Sequence, residues 1–157
     1  RLQGDWSSDV CSSDLMMAEN RRLERRTNII SFLEKQYRRK IDLSRDENRG
    51  IFLEGTGSLV IDHLNKIAYA SLSQRTSSNM IFEWEKQTGY KAILFTSYDK
   101  NLQTVYHTNV VMCVADRFAI VCLAAMEDED ARWRVKNSLH ETGHEIIEIS
   151  QIGRAHV

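Results

Sequence analysis

Apolar positions in the middle of the chain predict two strands, a helix and a further strand, in that order. The strand-like runs cover residues 58–62, 66–71 and 92–97. Between the second and third runs, residues 76–89 have helical spacing, with Thr and Ser at the expected start and Gly at the expected end. The segment therefore predicts one ββαβ unit.

The same order of elements follows a second time. Residues 109–114 and 118–123 predict two strands joined by a tight turn. Residues 128–142 predict a helix that ends before a glycine, and residues 145–150 predict a closing strand. The chain thus contains a second ββαβ unit.

A regular spacing relates the two units. Ser44, Ser97 and Ser150 each end a predicted strand and lie 53 residues apart, while Gly89 and Gly143, which end the two helices, lie 54 residues apart. A period of about this length is typical of modules arranged in a row or around an axis.

The N-terminal part resembles the end of an earlier module. Residues 20–39 predict an amphipathic helix, and residues 41–44 predict a short strand. The sequence therefore predicts an α/β fold of about two and a half ββαβ repeats. Some strand edges and apolar surface should be exposed, because each module buries its apolar face against a neighbour.

The two ends of the chain have the character of translated sequencing adaptor. Residues 9–14 read DVCSSD and residues 152–157 read IGRAHV. The DNA strand GAC GTG TGC TCT TCC GAT encodes the first, and its reverse complement encodes the second. We interpret residues 1–15 as adaptor-derived and expect them to be disordered, and we interpret residues 152–157 as adaptor-derived as well. Residues 16–151 are then a biological insert truncated at both ends.

The charge balance narrows the classes of partner. Without the two adaptor segments, 19 basic residues face 19 acidic ones, whereas nucleic-acid-binding domains are usually basic. No apolar run approaches the roughly 20 residues of a membrane span. We expect a cytoplasmic protein without a nucleic-acid or membrane partner, and its oligomeric state stays open.

Two sequence features could indicate a metal site, but each is better explained by a structural role. Cys113 and Cys122 both lie in strand-like apolar runs, which favours buried thiols over a disulfide or metal pair. The string HETGH, from His140 to His144, matches the H-E-x-x-H zinc motif. Gly143 ends the helix, however, so the two histidines would not share one helical face. We expect neither a metal nor a cofactor.

The predicted N-terminal helix is strongly basic. Residues 20–40 contain eight basic and two acidic residues, which would fit a nucleic-acid or anionic-lipid surface. The alternative, a solvated helix face balanced by acidic residues such as those at 127–130, is favoured because the insert as a whole is neutral.

Two residues at the start of the modules are candidates for chemistry. Glu54 precedes the first strand pair within FLEGTGSLVID, and His107 precedes the second within VYHTNVVMCV. If the modules surround an axis, equivalent positions face the same centre and the two side chains should converge. Taken singly, each has a structural alternative, a loop carboxylate and a histidine bonded to a backbone carbonyl.

Four segments together carry a resemblance to a known family: FLEGTGSLVID, KIAYASLSQRT, VYHTNVVMCVADRFAIVCL and TGHEIIEIS. In this order they resemble the guanidino-group-modifying superfamily, the penteins. The closest similarity is to its arginine-deiminase-related amidinotransferase branch, which is associated with citrulline utilisation. The resemblance covers essentially all of residues 16–151.

The resemblance implies a five-module α/β propeller of ββαβ units, of which this chain would be a fragment. It also implies that a Cys thiolate attacks the central carbon of a guanidinium or ureido group. A histidine protonates the leaving amine, and carboxylates bind the substrate nitrogens. The implied ligand is a small guanidino or ureido amino acid resembling arginine or citrulline.

The implied roles transfer to four positions of this sequence. Glu54 and Gly55 match the Glu-Gly of the family's Glu-Gly-Gly-Asp loop, and Gly57 stands where many deiminases have Asp. His107 matches the catalytic histidine, and Asn109 matches a position that is often Asp. The missing charges argue against strict arginine deimination and would suit a neutral ureido substrate or a different amino-acid scaffold.

The family's nucleophilic cysteine would lie beyond residue 151. We therefore expect an inactive fragment of a guanidino or ureido hydrolase or amidinotransferase that carries Glu54 and His107, with Asn109 nearby. The alternative is a non-catalytic ββαβ-repeat binding module of the same fold, for example a relative of a ribosome anti-association factor.

Overall fold

A computed structural model describes residues 15–37 and 40–151. The predicted adaptor segments therefore lie outside the described residues, with the exception of Leu15. The side chain of Leu15 is fully buried, and its carbonyl accepts a hydrogen bond from the Leu53 amide at 3.3 Å. These contacts place Leu15 with the folded part of the chain.

The N-terminal region differs from the predicted helix and strand. A 3-10 helix, Glu19–Glu24, is followed by α1, Thr27–Gln36. The two helices are separate because the backbone at Arg26 is extended. The predicted strand at residues 41–44 is wrong. Asp42 accepts hydrogen bonds from the amide and hydroxyl of Ser44, a local turn that competes with strand pairing and leads into the 3-10 helix Ser44–Arg49.

The first module has the predicted order of elements. After a short helix, α2 (Gly55–Ser58), strands β1 (Val60–Asp62) and β2 (Ile67–Ser71) pair antiparallel. Helix α3 (Ser78–Thr88) crosses to β3 (Lys91–Phe95), which pairs parallel with β2. The helix ends as predicted at Gly89, whose φ of 77° is a left-handed conformation that favours glycine.

The second module repeats this topology. Strands β4 (Met112–Val114) and β5 (Phe118–Val121) pair antiparallel, and α4 (Glu129–Glu141) connects β5 to the parallel strand β6 (Glu145–Glu148). Asp128 caps α4 by accepting a hydrogen bond from the Asp130 amide. Two successive ββαβ units are therefore confirmed, as a mixed α/β fold with two small sheets.

The sheet of the first module has a helix on each face. Side chains on one face of β2 and β3, such as Ala70 and Leu94, pack with Trp84 of α3. Side chains on the opposite face, such as Tyr69 and Phe95, belong to the core that contains the apolar face of α4. This alternation follows from the two-residue period of a strand and joins the two modules through one core.

The two cysteines of the described chain are in different environments. Cys122 is buried in the core, as predicted, whereas Cys113 is exposed. The expectation of a buried Cys113 is wrong because this side chain lies on the face of β4 that no described helix covers. Among the described residues, no helix has the length and apolar character needed to cross a membrane.

Candidate functional site

The starts of the two modules meet, and this contact forms the candidate site. Glu54 directly precedes α2, and His107, 53 residues later, directly precedes the 3-10 helix Thr108–Val110. The hydroxyl of Thr108 joins the two segments, because it donates to the Ser58 carbonyl and accepts from the Ser71 amide. Positions one repeat apart are thus placed side by side.

Glu54 and His107 form a direct hydrogen bond. Glu54 Oε2 lies 2.6 Å from His107 Nε2, and the Glu54 side chain is only 1% exposed. An ionised carboxylate can only accept, so His107 donates from Nε2. The predicted convergence of Glu54 and His107 is confirmed as geometry.

Two glycines next to Glu54 make this approach possible. Gly55 has a φ of 48°, in the left-handed region that favours glycine. At Gly57, an added Cβ would lie 2.9 Å from both Cδ2 and Nε2 of His107. A side chain at residue 57 would therefore push the imidazole ring away from Glu54.

Sequence reasoning missed two residues of the site, Arg75 and Tyr106. Arg75 Nη1 lies 3.4 Å from Glu54 Oε2, and its guanidinium lies over the Tyr106 ring, 4.5 Å from the ring centroid. The Tyr106 and His107 rings meet edge to face at 4.7 Å. Arg75 lies in the loop after β2, and such loops commonly carry binding residues, which was the available signal.

A buried hydroxyl fixes the backbone on both sides of this cluster. Ser58 Oγ accepts hydrogen bonds from the Glu54 amide at 2.9 Å and from the Thr76 hydroxyl at 2.7 Å. It also donates to the Arg75 carbonyl at 3.0 Å. The positions of Glu54 and Arg75 are therefore coupled through one side chain.

The surroundings of Glu54 keep it ionised. Burial raises the pKa of the Glu54 carboxyl, but the hydrogen bonds from His107 and from the Met17 amide, together with the charge of Arg75, lower it more, so that the net pKa lies below its ordinary value. The site therefore presents a carboxylate, a histidine, a guanidinium and an aromatic ring at one place.

The other two predicted site residues lie beside this cluster. Asn109 is in the 3-10 helix Thr108–Val110, and its side chain is exposed, two residues after His107. Gly55 is the first residue of α2 and has no side chain to contribute. The structure thus brings Glu54 and His107 into contact and leaves Asn109 at the surface.

The H-E-x-x-H string does not form a metal site. His140 is exposed on α4, whereas His144 follows the helix, is buried, and lies 2.8 Å from the Thr142 hydroxyl through Nδ1. Within residues 15–37 and 40–151, no group of three His, Cys, Asp or Glu side chains is arranged to hold a metal ion.

Acidic residues close to the basic N-terminal segment balance part of its charge. Arg25 binds Glu47 at 2.7 and 2.8 Å, and Arg22 Nε lies 3.3 Å from the same carboxylate. Lys40 binds Glu34 at 2.7 Å. For these two arginines the balancing carboxylate is thus Glu47, an acidic residue outside 127–130.

Comparison with known families identifies the class of protein. The family model described as N,N dimethylarginine dimethylhydrolase, eukaryotic, matches residues 9–157. The chain belongs to this family, and its resemblance to the pentein superfamily of guanidino-modifying proteins is confirmed. The family consists of hydrolases that act on guanidino compounds.

Solved structures support the same fold. The N-terminal domain of ArgZ covalently bound to a reaction intermediate has a TM-score of 0.62 and is 14% identical, with 90% of this chain and 53% of that chain covered. The same domain of this arginine dihydrolase from cyanobacteria, bound to substrate, has a TM-score of 0.61 at 14% identity and the same coverage.

A third structure, apo ArgZ, has a TM-score of 0.62 at 12% identity, with 90% of this chain and 23% of that chain covered. The 53% coverage of the ArgZ N-terminal domain means that this chain spans about half the length of that domain. No curated protein sequence matches the chain significantly.

Proposed function

We propose that this chain contributes the Glu54 and His107 part of a site that hydrolyses a guanidino or ureido amino acid. Glu54 would bind the nitrogens of the substrate's planar group, because a carboxylate matches the fixed donors of a guanidinium. His107 would protonate the leaving amine and later activate water, with its ring oriented by Glu54.

The observation that carries this proposal is the guanidinium of Arg75. It lies between the Glu54 carboxylate and the face of the Tyr106 ring. A carboxylate beside an aromatic face is a favourable environment for a planar cation. A substrate guanidinium that reached Glu54 would take over the contact now made by Arg75.

The neutral group at Asn109 bears on the substrate. An amide both donates and accepts, whereas a carboxylate only accepts. Asn109 therefore suits a ureido oxygen as well as a guanidinium nitrogen, and citrulline-like and arginine-like ligands are both within the proposal. An amidinotransferase, in which an amine replaces water as the acceptor, would use the same Glu54 and His107.

We further propose that the nucleophilic cysteine comes from chain beyond residue 151. Cys122 is buried among core side chains and cannot reach a ligand, and Cys113 lies on β4, on the exposed face of the second sheet. Neither is in the cluster around Glu54. The 157-residue chain should then bind ligand without turning it over, as part of a larger propeller of ββαβ modules.

Ligand binding and turnover test these proposals separately. L-arginine, N,N-dimethylarginine and citrulline are titrated onto the chain by isothermal titration calorimetry. We expect at least one to bind, and Glu54→Gln to weaken its affinity by roughly tenfold or more, the factor for losing one charge-assisted hydrogen bond. Glu34→Gln, which removes an exposed carboxylate paired with Lys40, is the matched control.

Several outcomes would contradict the proposals. Binding that Glu54→Gln leaves unchanged, or no binding of any of the three compounds, would favour a non-catalytic binding module. Release of ammonia or dimethylamine by this chain, lost in Cys113→Ser, would show that the nucleophile is present after all.

A further inference from the structure

A buried carboxylate outside the site, Glu47, binds the N-terminal segment. Glu47 Oε1 accepts from the Met16 amide at 2.6 Å and from Arg25 Nη1 at 2.7 Å, while Oε2 accepts from Arg25 Nη2 at 2.8 Å. Arg22 Nε adds a fourth contact at 3.3 Å. A carboxylate bound by a bidentate guanidinium and a backbone amide has one orientation.

The next residue of that segment reaches the candidate site. The Met17 amide donates to Glu54 Oε1 at 3.0 Å. On the other side, Leu15 is buried and is held by its carbonyl contact with the Leu53 amide. The segment is thus anchored at Leu53 and at Glu47, and it presents its following amide to Glu54.

In this arrangement the two carboxylate oxygens of Glu54 have different hydrogen-bond partners. Oε1 is occupied by the Met17 amide, whereas Oε2 faces His107 and Arg75. Without the Met17 bond, the carboxylate could rotate and share both oxygens with its other partners. The orientation of Oε2 towards His107 therefore depends on where the segment is held.

We propose that Glu47 is a positioning residue for the candidate site. It fixes the Met16 amide so that the Met17 amide meets Glu54 Oε1, which leaves Oε2 for His107 and for a substrate nitrogen. This inference rests on the proposed function for its purpose, although the contacts themselves involve no substrate. Within the described part of the chain, His107 and Arg75 are the charged or titratable groups that face Glu54.

The test uses two readouts by nuclear magnetic resonance of the whole chain. The first is hydrogen exchange of the Met17 amide. The second is the pH titration of the Glu54 carboxyl carbon. In Glu47→Ala we expect Met17 exchange to be roughly tenfold faster, because one hydrogen bond to a charged group is lost. The Glu54 titration should move upward, because the Met17 bond lowers the pKa of Glu54.

Controls separate positioning from a general loss of structure. Asp46→Asn changes the neighbouring acidic residue, which binds Arg49 at 2.9 Å, and should leave both readouts unchanged. Arg25→Lys keeps Glu47 but removes the bidentate contact, and it should shift both readouts in the same direction by less. Arg25→Lys also provides the test of the inference if Glu47→Ala does not fold.

A folded Glu47→Ala, or Arg25→Lys in its place, with unchanged Met17 exchange and an unchanged Glu54 titration would overturn the inference. Failure of the wild-type chain to bind guanidino compounds would reject the proposed function alone, because neither readout requires a ligand.

Discussion

The two modules share one topology but differ in how their sheets are covered. In the first, α3 packs on one face and α4 of the following module packs on the other. In the second, α4 covers one face, and the side chains of the opposite face include the exposed residues Cys113, Phe118 and Ile147. The strand β6 is correspondingly more exposed than β3.

The difference shows that a module of this type is completed by the helix of the next one. Ile67 in the first sheet packs against the core that contains α4, and Ile120 lies 53 residues later in the uncovered position. The apolar face of the second sheet therefore has the composition of an interior without a described helix on it, as expected for a stack of repeats.

The largest loss of stability should follow from a substitution in α4, the helix whose apolar face joins the two modules. Leu139 is fully buried on α4, whereas Ile147 on the uncovered face is 42% exposed. Leu139→Ala should lower the free energy of unfolding by about 2–5 kcal/mol, and Ile147→Ala by less than about 1 kcal/mol. Urea denaturation measures both. Equal losses would contradict the asymmetry between the modules.

Thiol reactivity should distinguish the two faces of the second sheet. In a Cys11→Ser background, Cys113 should react with a thiol reagent in the native protein, while Cys122 should react at least about a hundredfold more slowly, because it requires local opening. Cys113→Ser should remove the fast phase. A fast phase that survives this change would place Cys122 at the surface instead.

A smaller effect is expected where the modules meet at the site. Gly57→Ala would place a Cβ 2.9 Å from the His107 ring. We expect the ring to shift away from Glu54 and the chain to lose about 1–3 kcal/mol of stability, the usual range for overpacking. The neighbouring exposed residue gives a control, Thr56→Ala, which should change neither stability nor the His107 ring signals.

An effect on stability of similar size is expected from the ionisation of Glu54, and it depends on pH. Its pKa in the folded chain lies below the ordinary 4.5, so the folded state binds this proton more weakly than the unfolded state. The resulting stability is present above about pH 4.5 and is lost as the pH falls through the folded-state pKa.

Glu54→Gln should therefore be less stable than the wild type at neutral pH by about 1–3 kcal/mol, the range for hydrogen bonds to a charged group. The two curves should converge at acidic pH in thermal unfolding experiments. A difference that is constant from pH 3 to pH 7 would speak against an ionised, paired Glu54.

The order of elements and the convergence of the site could be predicted because both follow from local signals. Gly89 caps the end of α3 and Asp128 caps the start of α4, and alternating apolar residues define the strands. The repeat spacing placed Glu54 and His107 at equivalent positions, and this spacing led to the expectation that they meet.

The features that the sequence did not predict depend on contacts between distant residues, and such contacts leave no periodic signal in the sequence. The break in the N-terminal helix accompanies the pairing of Arg25 with Glu47, 22 positions away. The contact of Arg75 with Tyr106 depends on how two loops pack. Cys113 was misjudged because the burial of a strand face depends on the element that covers it.

The central claim is that equivalent positions of two repeats meet in one carboxylate–imidazole pair. The most direct measurement is the 15N spectrum of the His107 side chain at neutral pH. An ionised Glu54 can only accept, so Nε2 should carry a proton and show the corresponding pyrrole-type shift. This signature should be lost or mixed in Glu54→Gln. An unprotonated Nε2 in the wild-type chain would contradict the account.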